Sequence, residues 1–189
     1  MTTKVAILKK ASLLFSKNGY DSFSIRLLAD SIPLAPSVLY HHFKDKDDLL
    51  KSMFDYLNIE LGQKRAQLPL KKTASEMFKQ RISFQLDNAQ EIVAVLKYFI
   101  AYRKFFPKLQ GGYVPDKSSL HMEEVLTYGL KSGELYSSNI ELDAKVMTHA
   151  VNGFLLEYYP DTPQGKEKKL LVKNICQFLI RALQKGGEK

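Results

Sequence analysis

Apolar residues in the first part of the chain recur with the period of amphipathic helices. Steps of three and four residues, which place side chains on one helix face, separate Val5, Leu8, Ala11, Leu14 and Phe15. Asn18-Gly19 follows directly, and both residue types tolerate the left-handed backbone that commonly ends a helix. The pattern therefore predicts a first helix that ends at these two residues.

Two short helices are predicted next. Ser24 offers a hydroxyl that can cap a helix N-terminus, and Pro33 stops the run that follows it. Pro36 suits the first turn of a third helix, where a missing N–H costs nothing. A long fourth helix, over about residues 46–67, has an apolar stripe of Leu49, Leu50, Met53, Phe54 and Leu57.

The rest of the chain continues in helical patterns. Thr73 and Glu76 have the spacing of a capping box, in which two side chains satisfy free N–H groups at a helix start, and Ser138 and Glu141 repeat it. The second box starts a helix to about residue 158. Other helices are predicted over residues 92–105, 118–131 and 166–184, with a Gly- and Pro-containing loop over residues 107–116. Because no alternation typical of strands occurs, the predicted fold class is all-α with about nine helices.

Two short helices joined by a tight turn and braced by a preceding helix are typical of a helix-turn-helix. Such a unit places its second short helix in the major groove of DNA. Ala29 is small where the two helices must approach, Leu34 fills the turn, and Leu39 and Phe43 anchor the third helix to the core. The pattern predicts an N-terminal three-helix DNA-binding domain followed by a larger helical domain.

Residues 7–50 are similar to the N-terminal domain of TetR-family regulators. The matching positions are Ala11, Leu14-Phe15, Gly19-Tyr20, Leu28-Ala29, Leu39-Tyr40-His41-His42-Phe43 and Lys46-Asp47-Asp48-Leu49-Leu50. The rest of the chain resembles the family only in helix pattern, including the segment 129–135. The resemblance implies a helix-turn-helix domain over residues 1–46, a ligand-binding and dimerisation domain over residues 47–189, and helix four connecting them. It also implies a repressor released from a palindromic operator by a small molecule.

The resemblance further implies DNA contacts from the second helix, the third helix and the start of the fourth: Arg26, Ser37, Val38, Tyr40, His41 and Lys46. Arg26 would reach a phosphate or a base edge, and Lys46 would meet a phosphate. Ser37 and Val38 would face bases, and the tyrosine and first histidine would lie along the DNA backbone.

Two of these roles have structural alternatives. Tyr40 can equally be a half-buried ring on the domain core, and His41 can be a solvated surface histidine. His42 is expected to point away from DNA. The residue types alone leave these alternatives open.

The predicted turn departs from the family pattern. Pro33-Leu34-Ala35 stands where the family usually has Gly-Val-Ser. Ala35 has no side-chain oxygen to cap the third helix, a loss of about 1 kcal/mol, which Pro36 partly offsets by preorganising the first turn. Two interpretations follow: a variant turn that still binds DNA, or a domain that has lost DNA binding.

The last two helices are the expected dimer interface, as in the proteins that this chain resembles. A dimer reads two half-sites at a fixed spacing, which one recognition helix cannot do. The expected interface residues are Val146, Ala150, Gly153, Phe154, Val172, Ile175, Cys176 and Leu179. The alternative interpretation is ordinary monomer core.

The middle of the chain is rich in aromatic residues, which favours a largely apolar ligand pocket with a few polar groups. The expected pocket residues are Phe84, Tyr98, Tyr102, Phe105, Tyr128 and His149. The alternative is plain core aromatics and, for the histidine, a buried residue that bonds within the protein. The effector's identity is not indicated, and neither a cofactor nor a metal is expected.

Composition adds a weak indication of the partner. Lys and Arg number 28 and Asp and Glu 20, a net charge of +8, which favours a polyanion such as double-stranded DNA. The excess is not concentrated in the DNA-binding segment, because residues 1–46 carry 7 − 3 = +4 and residues 166–189 carry 7 − 2 = +5. The single Cys176 fits a reducing cytosol. Without a long apolar stretch, a cytoplasmic protein that does not enter the membrane is expected.

Other classes of protein are less well supported. An enzyme is disfavoured because the chain has no Gly-x-Ser-x-Gly, phosphate-loop or His-Glu-x-x-His motif. Two alternatives to a regulator remain at this point. One is a nucleoid-associated DNA-binding protein of the same fold, and the other is a helical ligand-binding protein that has lost DNA binding.

Overall fold

A computed structural model of the chain describes residues 3–69, 71–105 and 119–184, with the backbone alone for residues 103–105. These residues form nine α-helices and no strand: α1 (Thr3–Ser22), α2 (Ile25–Asp30), α3 (Pro36–His42), α4 (Lys46–Ala66), α5 (Ala74–Asp87), α6 (Ala89–Phe105), α7 (Leu120–Lys131), α8 (Ile140–Tyr158) and α9 (Gly165–Ala182). The predicted all-α fold class is confirmed. The predicted loop over residues 107–116 lies outside the described residues.

Side-chain caps start two helices where the sequence predicts them. The hydroxyl of Ser24 accepts a hydrogen bond from the backbone N–H of Leu27 at 3.1 Å and starts α2. The hydroxyl of Thr73 accepts from the N–H of Glu76, also at 3.1 Å, and starts α5. Each bond satisfies one of the N–H groups that a helix start leaves without an intrahelical partner.

The second predicted capping box is wrong by one residue. Asn139, rather than Ser138, caps α8, because its side-chain oxygen accepts the backbone N–H of Leu142 at 3.1 Å. Glu141 pairs with Lys145 one turn later, at 2.7 Å, instead of closing the box. Serine and asparagine are both good N-caps, so composition alone could not choose between two neighbours.

Helix α1 changes direction at the predicted cap. Gly19 has φ 71° and ψ −173°, a backbone conformation that side chains with a Cβ rarely adopt. The chain then forms a further turn as far as Ser22. This turn begins with Tyr20, whose backbone and side chain both contact α4.

Two compact units make up the described chain. Unit 1 is the described part of residues 1–68 and 88–110 and contains α1 to α4 and α6. Unit 2 is the described part of residues 69–87 and 111–189 and contains α5 and α7 to α9. Both α4 and α6 pack against α1, so they join unit 1. The functional division at residue 46 stays a prediction, since it concerns roles rather than these contacts.

Unit 1 is built around one apolar core, formed by Ile7, Leu8, Ala11, Phe15, Phe23, Leu28, Leu39, Phe43, Leu49, Leu50, Met53, Leu57 and Ala94. The short helices each contribute a fully buried leucine to it, Leu28 from α2 and Leu39 from α3. Helices of 6 and 7 residues are too short to be stable alone. Their geometry is therefore set by this core.

In unit 2, the segment 129–135 joins α7 to the start of α5. A Cβ on Gly129 would lie 2.4 Å from Cδ1 of Leu135 and 3.0 Å from Cβ of Ala74, so only glycine fits. Gly133 has φ 74°, the left-handed conformation that turns the chain back. The carboxylate of Glu134 then accepts the backbone N–H of Ala74 at 2.9 Å and caps α5. This family-like segment thus has a structural role in unit 2.

Candidate functional site

The turn between α2 and α3 is packed and hydrogen-bonded, although Pro33-Leu34-Ala35 departs from the family pattern. Leu34 packs against the core of unit 1, as predicted. Ala35 is the N-cap of α3 without a side-chain bond, and its backbone oxygen accepts the N–H of Val38 at 2.9 Å. Pro36 occupies the first turn of α3. The chain therefore has a formed helix-turn-helix with a proline-started second helix.

Five of the six predicted DNA-contact residues lie on α2 and α3. Arg26 on α2 is exposed, as are Ser37 and His41 on α3. Tyr40 is 61% exposed, which excludes the alternative of a half-buried ring. Val38 is half-buried, so only part of its side chain reaches the surface. The fold brings these side chains to the surface, and their contacts with DNA stay a prediction.

The α3 residues differ because a helix of this length has one buried face. Leu39 is buried and Phe43, which follows α3, is also buried. His42 is half-buried, with its ring centre 6.1 Å from that of Phe43 and 5.3 Å from that of His41. His42 thus leans toward the domain, as expected, while His41 remains exposed.

Lys46 differs from the expectation of a free phosphate-binding arm. Its ammonium donates to the backbone oxygen of Tyr20 at 2.5 Å and lies 4.0 Å from the centre of the Tyr20 ring. Burial is the largest influence on this group and lowers the pKa of Lys46, while Asp47 and Asp21 act in the opposite direction. The structure therefore gives Lys46 a partner inside unit 1, at the junction of α1 and α4.

Tyr20 completes this junction from its other end. Its hydroxyl donates to Asp47 at 2.8 Å. Burial, followed by the hydrogen bond and the charge of Asp47, raises the pKa of Tyr20 to about 12. Tyr20, which directly follows the Gly19 bend, thus contacts α4 through its backbone carbonyl, its ring and its hydroxyl.

Carboxylates occupy the N-terminus of α4, where the resemblance implies a phosphate contact by Lys46. Asp45 accepts the backbone N–H of Asp48 at 2.8 Å and is the N-cap. Asp48 accepts the N–H of Lys44 at 2.9 Å. Negative side chains already neutralise the positive end of the helix dipole. A DNA phosphate at this point would meet like charges, so phosphate contact by Lys46 is disfavoured.

Two lysines beside α3 were not among the predicted contacts. Lys44 is exposed directly after α3, next to Phe43. The ammonium of Lys4 lies 5.5 Å from the centre of the Phe43 ring, although the two residues are far apart in sequence. Lys44 could have been predicted as a contact from the sequence, because it is a basic residue that closely follows α3. Lys4 is placed there only by packing.

Helix α6 provides a further cation to unit 1. The ammonium of Lys97 donates to the backbone oxygens of Ser16 at 2.6 Å and Lys17 at 3.3 Å, near the end of α1. Burial lowers the pKa of Lys97. Cations stabilise the carbonyl end of a helix, and here α1 receives one from another helix.

The predicted dimer residues separate into two groups. Those on α9 are buried within the monomer: Val172, Ile175, Cys176 and Leu179. For these four residues the interface prediction is corrected, because α9 packs this face against α5. Burial also raises the pKa of the Cys176 thiol to about 11. The monomer-core alternative describes them.

The predicted dimer residues on α8 are exposed: Val146, Ala150, Gly153 and Phe154. Helix α9 has its own exposed apolar residues, on the face opposite its buried stripe. Phe178 is 71% exposed and Leu170 is 59% exposed. These residues, together with the four on α8, are called the α8–α9 apolar face.

The predicted pocket residues are spread over both units. Tyr98 and Tyr102 lie on α6 in unit 1, where the Tyr98 ring stacks on Phe54 with centres 4.7 Å apart. Burial raises the pKa of Tyr98 to about 12. Phe84 is buried in unit 2. The side chain of Phe105 lies outside the described residues.

Two further predicted pocket residues, His149 and Tyr128, are exposed. His149 is exposed on α8, beside Ala150 of the apolar face. Tyr128 is exposed on α7, and its hydroxyl donates to the backbone oxygen of Lys72 at 2.6 Å. Helical periodicity identified aromatic residues without showing which face each would occupy.

Comparison with known proteins supports the class that this geometry defines, a helix-turn-helix DNA-binding domain on a helical body. Residues 7–53 match the family described as bacterial regulatory proteins, tetR family. The HTH-type transcriptional regulator UidR of Escherichia coli (strain K12) is 37% identical over 51 residues, which cover 27% of this chain and 26% of that regulator. The alignment thus spans about a quarter of UidR.

Two other relatives extend over nearly the whole chain. The HTH-type transcriptional regulator QacR of Staphylococcus aureus is 24% identical over 200 residues, covering 98% of this chain and 100% of that protein. A TetR-family transcriptional regulator from Rhodococcus sp. has a TM-score of 0.72 at 16% identity, covering 94% of this chain and 98% of that one. The N-terminal segment of the chain thus matches the tetR family, and the fold of the chain is that of a TetR-family regulator of known structure.

A second similar structure was solved with a ligand. It is the transcriptional regulator FadR from Bacillus subtilis in complex with stearoyl-CoA, with a TM-score of 0.63 and 16% identity, covering 95% of this chain and 99% of that one. Within the described ranges of the present chain, no helix is both long and apolar enough to cross a membrane.

Proposed function

We propose that this chain is a DNA-binding transcriptional regulator, a repressor that a small molecule releases from a palindromic operator. The observation that carries the proposal is the way α3 is mounted. Leu39 and Phe43 fix its inner side in the core of unit 1, while Ser37, Tyr40 and His41 are exposed. Side chains held on a rigid helix can meet base edges and phosphates as a set.

The proposed regulator is a homodimer joined through the α8–α9 apolar face. Exposed apolar residues on a helix face mark interaction sites, and Phe178 is the most exposed of the large apolar residues on the two helices. A second copy is the occupant, because the last two helices of each copy can bury such residues in a four-helix seam. Two copies also supply the two recognition helices that a palindrome needs.

The proposed control by a ligand acts through unit 2. FadR, solved with stearoyl-CoA, supports a fold of this kind holding a small molecule. The chain passes from α4 of unit 1 into unit 2 and returns to unit 1 before α6. A ligand that prefers one conformation of unit 2 would shift the population of the DNA-binding form. No catalytic role, cofactor or membrane partner is part of this proposal, and the chain is proposed to act on DNA in the cytoplasm.

The two alternatives are weaker on specific grounds. A protein that has lost DNA binding has no need of exposed Arg26 and Tyr40 around an ordered α3. A nucleoid-associated protein would bind through cations alone, whereas Ser37 and Tyr40 add hydrogen-bonding groups suited to DNA recognition.

Selection of bound sequences from a random DNA pool tests the proposal. We expect a short palindrome whose affinity falls steeply with salt. Arg26→Ala or Ser37→Ala should lose about tenfold or more in preference for it, since one good base contact discriminates by about 1–3 kcal/mol. Gln63→Ala, at an exposed position of α4, is the control.

The alternatives predict other results from the same experiment. Sequence-independent binding would support a nucleoid-associated protein, and no binding at low salt would support a chain that has lost DNA binding. Either result would overturn the proposed function.

A further inference from the structure

Three neutral polar side chains are buried between α5 and α8 of unit 2. Gln85 on α5 is 6% exposed, and Thr148 and Asn152 on α8 are 2% and 9% exposed. Thr148 and Asn152 are four residues apart, so they lie on one face of α8, with Cβ atoms roughly 5–6 Å apart. The three side chains form what is called the α5–α8 polar cluster.

The hydrogen-bonding capacity of this cluster is only partly used. The amide nitrogen of Gln85 donates to the side-chain oxygen of Asn152 at 3.2 Å. Among the described residues, no group bonds to the side-chain oxygen of Gln85 or to the hydroxyl of Thr148, although both atoms are buried. Buried polar atoms in native proteins are nearly always paired, because leaving them unpaired is destabilising.

The single bond within the cluster also fixes its orientation. With its nitrogen bound to Asn152, the carboxamide of Gln85 presents its oxygen, which can only accept a hydrogen bond. The hydroxyl of Thr148 can both donate and accept. None of the three side chains carries a charge. The cluster is thus suited to a neutral group with a hydrogen-bond donor, such as a hydroxyl or an amide.

An anionic ligand is the competing class. Arg81 lies one turn before Gln85 on α5 and is half-buried. It has interactions of its own within the protein, and it is less deeply buried than Gln85 and Thr148. The two buried acceptors, Gln85 and Thr148, therefore decide the preferred class.

We infer that the α5–α8 polar cluster is the polar end of the effector site, and that the effector is a neutral molecule that donates a hydrogen bond to Gln85 or Thr148. The inference rests on the proposed function, in which unit 2 holds the ligand. In this inference, the candidate effector site is a buried polar cluster within unit 2 and not the aromatic residues that are spread over both units. The free acceptors are stabilised only when the ligand is bound, so binding is favoured by groups that the fold leaves unsatisfied.

The first test needs no ligand. Thr148→Val keeps the shape of the side chain and removes the buried hydroxyl. If the hydroxyl serves a ligand, Thr148→Val should raise the Tm of the free protein by roughly 2–4 °C, because an unpaired polar atom has been removed. A lower Tm would mean that the hydroxyl stabilises the fold itself, and would overturn the inference.

The second test compares four probes that share one ring. Benzyl alcohol is a neutral donor, toluene has no hydrogen-bonding group, benzoate is an anion and benzylammonium is a cation. Binding to the full chain is followed by the side-chain amide signals of Gln85 and Asn152 in NMR. We expect benzyl alcohol to bind roughly fivefold more tightly than toluene, the gain of one hydrogen bond, and both ions to bind more weakly.

Variants assign the effect to the cluster. In Thr148→Val and Gln85→Met the advantage of benzyl alcohol over toluene should fall toward onefold, whereas Thr127→Val on α7 should keep it. Tightest binding by benzoate or benzylammonium, no binding by benzyl alcohol, or an advantage that survives both variants would overturn the inference. Operator binding is measured separately on the same wild-type preparation. Absence of operator binding by the wild-type protein would overturn the proposed function. The ranking of the four probes would still test the α5–α8 polar cluster.

Discussion

The ammonium of Lys46 donates to the backbone oxygen of Tyr20 at 2.5 Å and lies over its ring. The resemblance to TetR-family regulators implies that this lysine meets a phosphate. Instead, it ties the turn after the Gly19 bend to the first turn of α4. The lysine that suits a phosphate contact is Lys44, which is exposed after α3.

Lys46→Ala and Lys44→Ala should therefore behave differently. Lys46→Ala should lower the free energy of unfolding by about 1 kcal/mol, because a charge-assisted hydrogen bond at a partly exposed site is lost. Lys44→Ala should leave stability unchanged and flatten the salt dependence of DNA binding by roughly one unit. Urea unfolding and affinity measured at several salt concentrations check both. A flatter salt dependence in Lys46→Ala alone would contradict this assignment.

The raised pKa of Tyr20 gives a prediction at alkaline pH. Its folded pKa of about 12 exceeds the ordinary value of 10.0, so the folded protein holds the phenol proton more tightly than the unfolded chain does. The stabilising contribution is complete below pH 10 and is lost as the pH rises toward 12. The difference in unfolding free energy between wild type and Tyr20→Phe should therefore shrink above pH 10.

Phenolate absorbance provides a direct check on Tyr20. The difference spectrum between wild type and Tyr20→Phe should titrate near pH 12. Asp47→Asn should move this titration to lower pH, because both the hydrogen bond and the negative charge of the carboxylate raise the pKa. An unchanged titration in Asp47→Asn would mean that Asp47 does not hold the phenol proton.

Gly129 should be essential for the stability of unit 2. In Gly129→Ala the new Cβ would lie 2.4 Å from Leu135 Cδ1, and overpacking of this kind costs about 1–3 kcal/mol. Gly62→Ala, on α4, places its Cβ in open space and should raise stability by about 0.5–1 kcal/mol. Unfolding of both variants and of Gly129→Ala/Leu135→Ala checks the clash, since the double variant should recover part of the loss. Equal effects of Gly129→Ala and Gly62→Ala on stability would exclude a clash with Leu135.

Phe178→Glu should weaken the proposed dimer without unfolding the monomer. The ring is 71% exposed, so it adds little to the monomer core. An aromatic residue at the centre of an interface contributes about 2 kcal/mol or more, which is about 30-fold in Kd. Sedimentation equilibrium measures the effect. Lys131→Glu, at an exposed position of α7, introduces the same side chain elsewhere on unit 2 and should leave the dimer intact.

Much of unit 1 could be predicted because its signals are local. Ser24 caps α2 and Pro36 begins α3, as the sequence indicated, and Gly19, the predicted end of the first helix, is where α1 bends before continuing to Ser22. Each depends on the conformational preference of one residue and on partners within a few positions. The buried and exposed positions from Leu39 to Phe43 could also be predicted, because a short helix has only one face toward the core.

Other assignments failed where periodicity did not identify the partner. Ile175 and Phe178 are both apolar residues of α9, yet one is buried and the other is exposed. The pattern placed apolar residues nearly all round this helix, and only packing against α5 decided which side enters the core. For His149 and Tyr128 as well, the pattern did not show that the side chain is exposed.

The sequence by itself determined the helices, the helix-turn-helix and the resemblance of residues 7–53 to the tetR family, because these follow from local propensity and from residue matches over one continuous segment. Only the tertiary structure decided what each polar group binds. Lys46 donates a hydrogen bond to Tyr20, Lys97 donates one to Ser16 near the end of α1, and Gln85 donates one to Asn152. These partners are distant in sequence, and a hydrogen bond between them depends on distances that folding alone establishes.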